Sequence, residues 1–85
     1  MQPEDFFRSA NESIAAKARE LGMESPIPFL CECSDSRCLG RVPLSLAEYE
    51  EARAAPKRYV TMAGHEVDGA FVIEQEEHFA LAEKL

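Results

Sequence analysis

Long hydrophobic runs are missing from this chain. No apolar stretch approaches the roughly 18 residues of a membrane span, so no spanning helix is expected. The first ten residues, MQPEDFFRSA, are acidic where a secretory signal would be basic and then apolar. The expected location is the cytoplasm. Cationic residues are also scarce, with nine Lys and Arg against sixteen Asp and Glu, for a net charge of -7 and a pI near 4.7. Such a balance opposes phosphate, so nucleic acid is a poor partner, and Arg53, Lys57 and Arg58 form at most a small basic patch. Internal repeats and low-complexity tracts are absent as well.

Cysteine is sparse and odd in number. Three thiols cannot all pair within one chain, and a reducing cytosol would keep them free, which argues against a disulfide scaffold. All three lie inside eight residues, CECSDSRC, from Cys31 to Cys38. Core cysteines packed as small apolar residues have no reason to crowd into a segment otherwise made of Glu, Ser, Asp and Arg. A metal site is the reading that explains the cluster.

The chain has 85 residues, room for one domain, here read as a single metal-binding domain spanning residues 1–85. A domain of this size buries only about 60 per cent of the surface its unfolded chain exposes, so a further source of stability is needed. The apolar fraction of 46% is ordinary for a globular fold.

From Pro3 to Leu21, Phe7, Ala10, Ile14, Ala18 and Leu21 recur at steps of three and four, the stripe of an amphipathic helix, with Phe6 widening it. Pro3 suits the first turn, Glu4 and Asp5 favour the positive end of the dipole, and Gly22 stands where a left-handed cap is wanted. ESPIP then reads as an extended linker leading Phe29, Leu30 and the cysteine segment into a short strand and tight loop. Ser45 and Glu48 form a capping box flanked by a Leu44–Tyr49 staple, starting a second helix that Pro56 stops near Ala54 or Ala55. RYVTM and AFVI read as strands separated by the loop AGHEVDG. HFALAEKL is expected to be a third strand, returning through a turn at Gln75 to Glu77. The fold class is therefore α+β: two helices packed on a small antiparallel sheet, with a Cys-rich metal-binding loop.

In a strand, residues i and i+2 share a face, so Cys31 and Cys33 can present both sulfurs to one point while SDSR lets Cys38 return to it. Zinc prefers four ligands in a tetrahedron of thiolate and imidazole. The expected fourth ligand is His65, in the loop AGHE, where Gly64 permits close backbone approach. His78, in the acidic run EQEEHF, and the carboxylate of Asp35 compete for that position. Arg37 and Arg41 flank the thiolates and are candidates to offset their charge. An iron–sulfur cluster is the alternative cofactor, since three Cys and one His also ligate the two-iron cluster of NEET-type proteins. In that family, however, the third Cys and the His lie close together within one motif, whereas a whole predicted helix separates Cys38 from His65.

Taken together, PFLCECSDSRC, LSLAEYEEAR, the GHE loop and an apolar terminal strand resemble a family of small bacterial proteins with an FxCEC motif, an EYE helix and a GH loop. The resemblance implies that Cys31, Cys33, Cys38 and His65 form one recurring set, and it names no activity.

Three functional classes follow. The first is a zinc-stabilised regulatory or adaptor module that binds a protein. Residues 59–85 carry six carboxylates against one lysine, so the expected partner presents a basic surface. The second is a metal or redox sensor whose thiolates release zinc on oxidation. The third is an enzyme with an open metal position and Glu66 as general base, disfavoured because four protein ligands would close the site and Ser34 and Ser36 are turn residues by type.

Overall fold

The computed structural model describes residues 1–85. It contains two helices and two small antiparallel sheets, an α+β arrangement. Helix α1 spans Pro3–Leu21. Pro3 occupies its first turn, and Gly22 ends it with φ 64°, which lets the Met23 N–H donate to the Ala18 carbonyl. The buried face differs from the apolar stripe. Glu4, Asn11, Ala15 and Ala18 point inward, whereas Leu21 and Phe6 are exposed. Glu4, Asn11 and Ala18 are spaced by seven and share one line along the helix, so two polar residues sit where a hydrophobic stripe would place aliphatics.

Strand β1 (Ile27–Leu30) pairs antiparallel with β2 (Arg41–Leu44), an element absent from the sequence reading. Pro28 and Pro43 lie directly opposite each other. The Pro28 carbonyl is free to accept from the Arg41 guanidinium at 3.2 Å, as expected where backbone polar groups point away from the partner strand and a missing N–H costs no ladder bond.

Helix α2 (Leu46–Ala52) begins at the expected capping box. The Glu48 N–H donates to Ser45 Oγ at 3.1 Å, and the Ser45 N–H donates back to Glu48 Oε1 at 2.8 Å. The helix ends at Ala52, one half-turn earlier than Pro56 alone demands, with residues 53–57 in turns.

The second sheet has strand order β3-β5-β4, with β3 at Arg58–Met62, β4 at Ala70–Gln75 and β5 at Phe79–Lys84. The third strand read from HFALAEKL is thus the central one. The cysteines sit beyond the end of β1 rather than in a strand. One core joins both sheets and both helices: Phe29 stacks on Tyr49 at 4.1 Å between ring centres, and Ala15, Val42, Leu44, Val60 and Leu81 close around the pair. No helix is long and apolar enough to cross a membrane.

Candidate metal centre

The ten-residue loop 31–40 joins β1 to β2 and carries all three cysteines. Its backbone is tied down at four points. The Cys31 N–H donates to the Gly40 carbonyl at 3.1 Å, prolonging the hairpin by one pair, and the Glu32 N–H donates to Val60 of β3 at 2.8 Å. The Ser34 N–H donates to Glu66 at 3.0 Å, and the Cys38 N–H closes a turn on the Asp35 carbonyl at 3.0 Å. Asp35 spends its own carboxylate on the Arg37 N–H at 2.9 Å, an Asx-type turn. The loop following β3 is held to the same framework. The His65 N–H donates to the Met62 carbonyl at 3.1 Å, Thr61 Oγ1 donates to the His65 carbonyl at 3.4 Å, and the Asp68 N–H donates to Ser34 Oγ at 2.7 Å.

These constraints bring Cys31, Cys33, Cys38 and His65 together. Their ligand atoms all lie within 4.8 Å of one another, a group that could hold a metal ion. His65 Nδ1 stands 3.5 Å from Cys31 Sγ and 3.6 Å from Cys38 Sγ, so Nδ1 is the nitrogen turned to the centre and the ring proton belongs on Nε2 for ligation. Cys31 and Cys33 are buried, and Cys38 and His65 are half-buried at the rim.

Backbone amides support the sulfurs. The Met62 N–H donates to Cys31 Sγ at 3.2 Å and the Gly40 N–H to Cys38 Sγ at 3.4 Å; the first of these favours the Cys31 thiolate over its thiol. A Cβ at Gly40 would displace the Met62 sulfur and press on Cys38 Sγ. Without a cation the Cys31 and Cys33 thiols resist ionisation. Burial first, and then the neighbouring Cys33 and Cys38, push the Cys31 thiol up to about 12 against the pull of the Met62 N–H. Burial likewise raises Cys33. Three sulfurs this close can all be thiolates only if a positive ion stands among them.

Of the alternatives to His65, His78 is exposed in the β4–β5 turn, where it lines a cleft with Glu48, Glu76 and Glu77, and it is not in the cluster. Asp35 is likewise outside it. Arg37 and Arg41 are both exposed, and the Arg41 guanidinium is committed to Pro28. Neither arginine contacts a sulfur; peptide N–H groups take the role expected of them.

The residue between the first two cysteines is one the sequence reading passed over. Glu32 is fully buried, and its carboxylate accepts hydrogen bonds from Asn11 Nδ2 at 2.8 Å, the Tyr49 hydroxyl at 2.9 Å and the Val60 N–H at 2.9 Å. Burial raises its carboxyl, with those three donors and the nearby Arg53 opposing. Through Glu32 the metal loop is bonded to α1, α2 and β3 at once. No local signal pointed there, because the partners of Glu32 lie on α1, α2 and β3, far from it in sequence.

No protein-family model matches this chain, and the searches of curated proteins and of solved structures likewise found no match.

Proposed function

We propose that the chain is a zinc-binding module whose Cys3His centre holds two loops and two sheets in one rigid frame, and whose work is to bind another protein. The observation that carries the zinc reading is the spacing of His65 Nδ1 from two sulfurs, 3.5 and 3.6 Å. Zinc bonds of about 2.3 Å to sulfur and about 2.1 Å to nitrogen set the sulfur–nitrogen edge of a tetrahedron at about 3.6 Å. A two-iron cluster fits less well, because ligands on opposite irons stand farther apart than the edge of one ion's coordination sphere, and here no pair of ligand atoms exceeds 4.8 Å. The three-thiolate, one-imidazole donor set is also the soft, borderline set that zinc takes in closed structural sites. The recurring Cys3His set implied by the FxCEC resemblance agrees with it.

Four protein ligands leave no position for substrate, which favours a structural over a catalytic ion. The partner reading rests on charge: the C-terminal third is strongly acidic, so a partner with a basic surface is the complementary one. Elemental analysis of protein purified without added metal tests the first step, with about one zinc per chain expected and loss of zinc in Cys31→Ser and His65→Ala. Iron with acid-labile sulfide, or no metal at all, would defeat it.

A sensor role is the second reading, favoured by the position of Cys38 at the rim while the other two sulfurs are buried. Zinc retention under peroxide sufficient to oxidise free thiols would eliminate it.

A further inference from the structure

The outer edge of β4 carries an arrangement that the metal centre does not explain. The strand lies at the end of the order β3-β5-β4, so one side of its backbone has no neighbour. Phe71, Val72 and Ile73 follow one another along it and are 48%, 54% and 39% exposed. Monomeric proteins usually blunt such an edge with lysine or proline, and Ala70–Gln75 contains neither. The register slips between Val72 and Glu74, a bulge that leaves Ile73 without a partner on β5, yet the rest of the strand stays paired.

Beside this edge lies a cleft of about 500 Å³. It is lined by Phe79 and Leu81 of β5, Glu48 and Glu51 of α2, and Glu74, Glu76 and Glu77 at the end of β4 and in the turn after it. Two basic-type side chains, Arg58 and His78, also line it, and Arg58 is already paired with Glu83 at 3.2 Å. Glu51, Glu74, Glu76 and Glu77 have no ion-pair partner. The surface therefore offers three things together: unpaired strand hydrogen-bonding groups, a row of apolar side chains, and uncompensated negative charge.

We propose that β4 is a docking edge for an extended segment of a partner protein with alternating basic and apolar residues, which adds a fourth strand to the β3-β5-β4 sheet. Backbone pairing along β4 supplies affinity, as in other strand-addition complexes, and alternate side chains supply specificity. On the cleft face of the added strand, lysine or arginine heads reach Glu74 and the neighbouring glutamates while their aliphatic stems cover Phe71; apolar residues on the opposite face cover Val72. A second copy of this chain is the wrong occupant, because two β4 edges would bring Glu74, Glu76 and Glu77 against a partner of the same net charge, -7. The proposal rests on the protein-binding reading above and gives it a location and a ligand chemistry.

The test uses the zinc-loaded chain of residues 1–85 and three short labelled peptides: alternating lysine and valine, the same peptide N-methylated on alternate backbone nitrogens, and alternating glutamate and valine. Fluorescence anisotropy at low salt reads affinity, and amide hydrogen exchange reads the site. The lysine–valine peptide is expected to bind about tenfold or more tightly than its N-methylated form and to protect the amides of residues 70–75. The glutamate peptide is expected not to bind. Phe71→Thr and Ile73→Thr keep strand propensity and are expected to weaken binding about tenfold, with zinc content and circular dichroism unchanged. Equal binding of the two lysine peptides, or protection elsewhere, overturns strand docking and leaves recognition of basic partners standing. Binding of neither lysine peptide by stoichiometrically zinc-loaded protein overturns both and leaves only the metal reading. Protection of residues 70–75 without peptide, rising with protein concentration, assigns the edge to self-association and also overturns the proposal.

Discussion

The side chain of Asn11 pairs with the backbone of Leu30 as a strand would. Its Oδ1 accepts the Leu30 N–H at 2.8 Å and its Nδ2 donates to the Leu30 carbonyl at 2.8 Å. The same Nδ2 reaches Glu32 at 2.8 Å. A helix thereby takes over the sheet's hydrogen-bonding function at the last residue before the first candidate metal ligand, and both the N–H and the C=O of Leu30 are satisfied.

Asn11→Ala removes these bonds and leaves a buried carboxylate short of a donor. The expected loss is about 3 kcal/mol in urea unfolding of the zinc-bound protein, the range for orphaning a buried charged group and a backbone amide together. Because Glu32 lies between Cys31 and Cys33, zinc affinity is expected to fall about tenfold as well, read by competition with a chelating dye. A loss under 1 kcal/mol with unchanged affinity would show that the loop does not depend on this grip.

The contrast between α2 and β2 shows what local sequence can and cannot reveal. Helix α2 was legible because its signal is local: Ser45, Glu48, Leu44 and Tyr49 all act within one turn. Strand β2 was hidden because RVPL is short and contains proline, and only its pairing with β1, prolines opposite each other, makes it a strand. The Cys3His group was legible for a different reason. Its chemistry restricts the residue types so strongly that three neighbouring thiols leave few candidates for a fourth ligand. The burial of Glu4, Asn11 and Glu32 was not legible, since a polar residue declares itself buried only through partners far away in sequence.

Between the two histidines, the ligand role assigns opposite outcomes. His65→Ala is expected to weaken zinc binding about a hundredfold or more, beyond the range seen for residues that merely orient a ligand, whereas His78→Ala leaves it unchanged. In cobalt-substituted protein, the visible bands of a tetrahedral thiolate site should shift in His65→Ala alone. Equal effects of the two substitutions would place the fourth ligand elsewhere.

Chelation should act first on the loops and only then on the fold. The Phe29–Tyr49 stack contains none of the candidate ligands, although Cys31 and Cys33 belong to the same core cluster; loops 31–40 and 63–69 carry all four, and a bound ion would draw them together. Removing the metal with EDTA is expected to expose amides of both loops to hydrogen exchange and to lower the thermal midpoint by about 10 °C or more, since metal binding energy is folding energy in domains of this size. An unchanged midpoint after verified metal loss would mean that the ion stabilises nothing.

The ion pair between Glu4 and Lys84 predicts a pH signature of its own. Lys84 Nζ donates to Glu4 Oε2 at 2.7 Å, and Ser34 donates to Oε1 at 3.1 Å. Burial by itself would raise the Glu4 carboxyl, but Lys84, a backbone N–H and Ser34 outweigh it and hold the group below its usual 4.5. The hydrogen bond to Glu4 likewise holds Lys84 above its usual 10.5. The Glu4 contribution is therefore complete above 4.5 and lost as the pH falls through its lower folded value; the Lys84 contribution is complete below 10.5 and lost as the pH rises through its higher one. Lys84→Met leaves the buried Glu4 carboxylate uncompensated and is expected to cost about 2 kcal/mol at neutral pH. Acid also strips a thiolate metal site, so the pair has to be isolated by a double-mutant cycle with Glu4→Gln. The coupling measured by that cycle should be flat across the neutral range and decline at both extremes. A coupling that changes between pH 6 and pH 8, an interval within about one unit of neutrality where neither group titrates, would show that the pair does not carry the stability assigned to it.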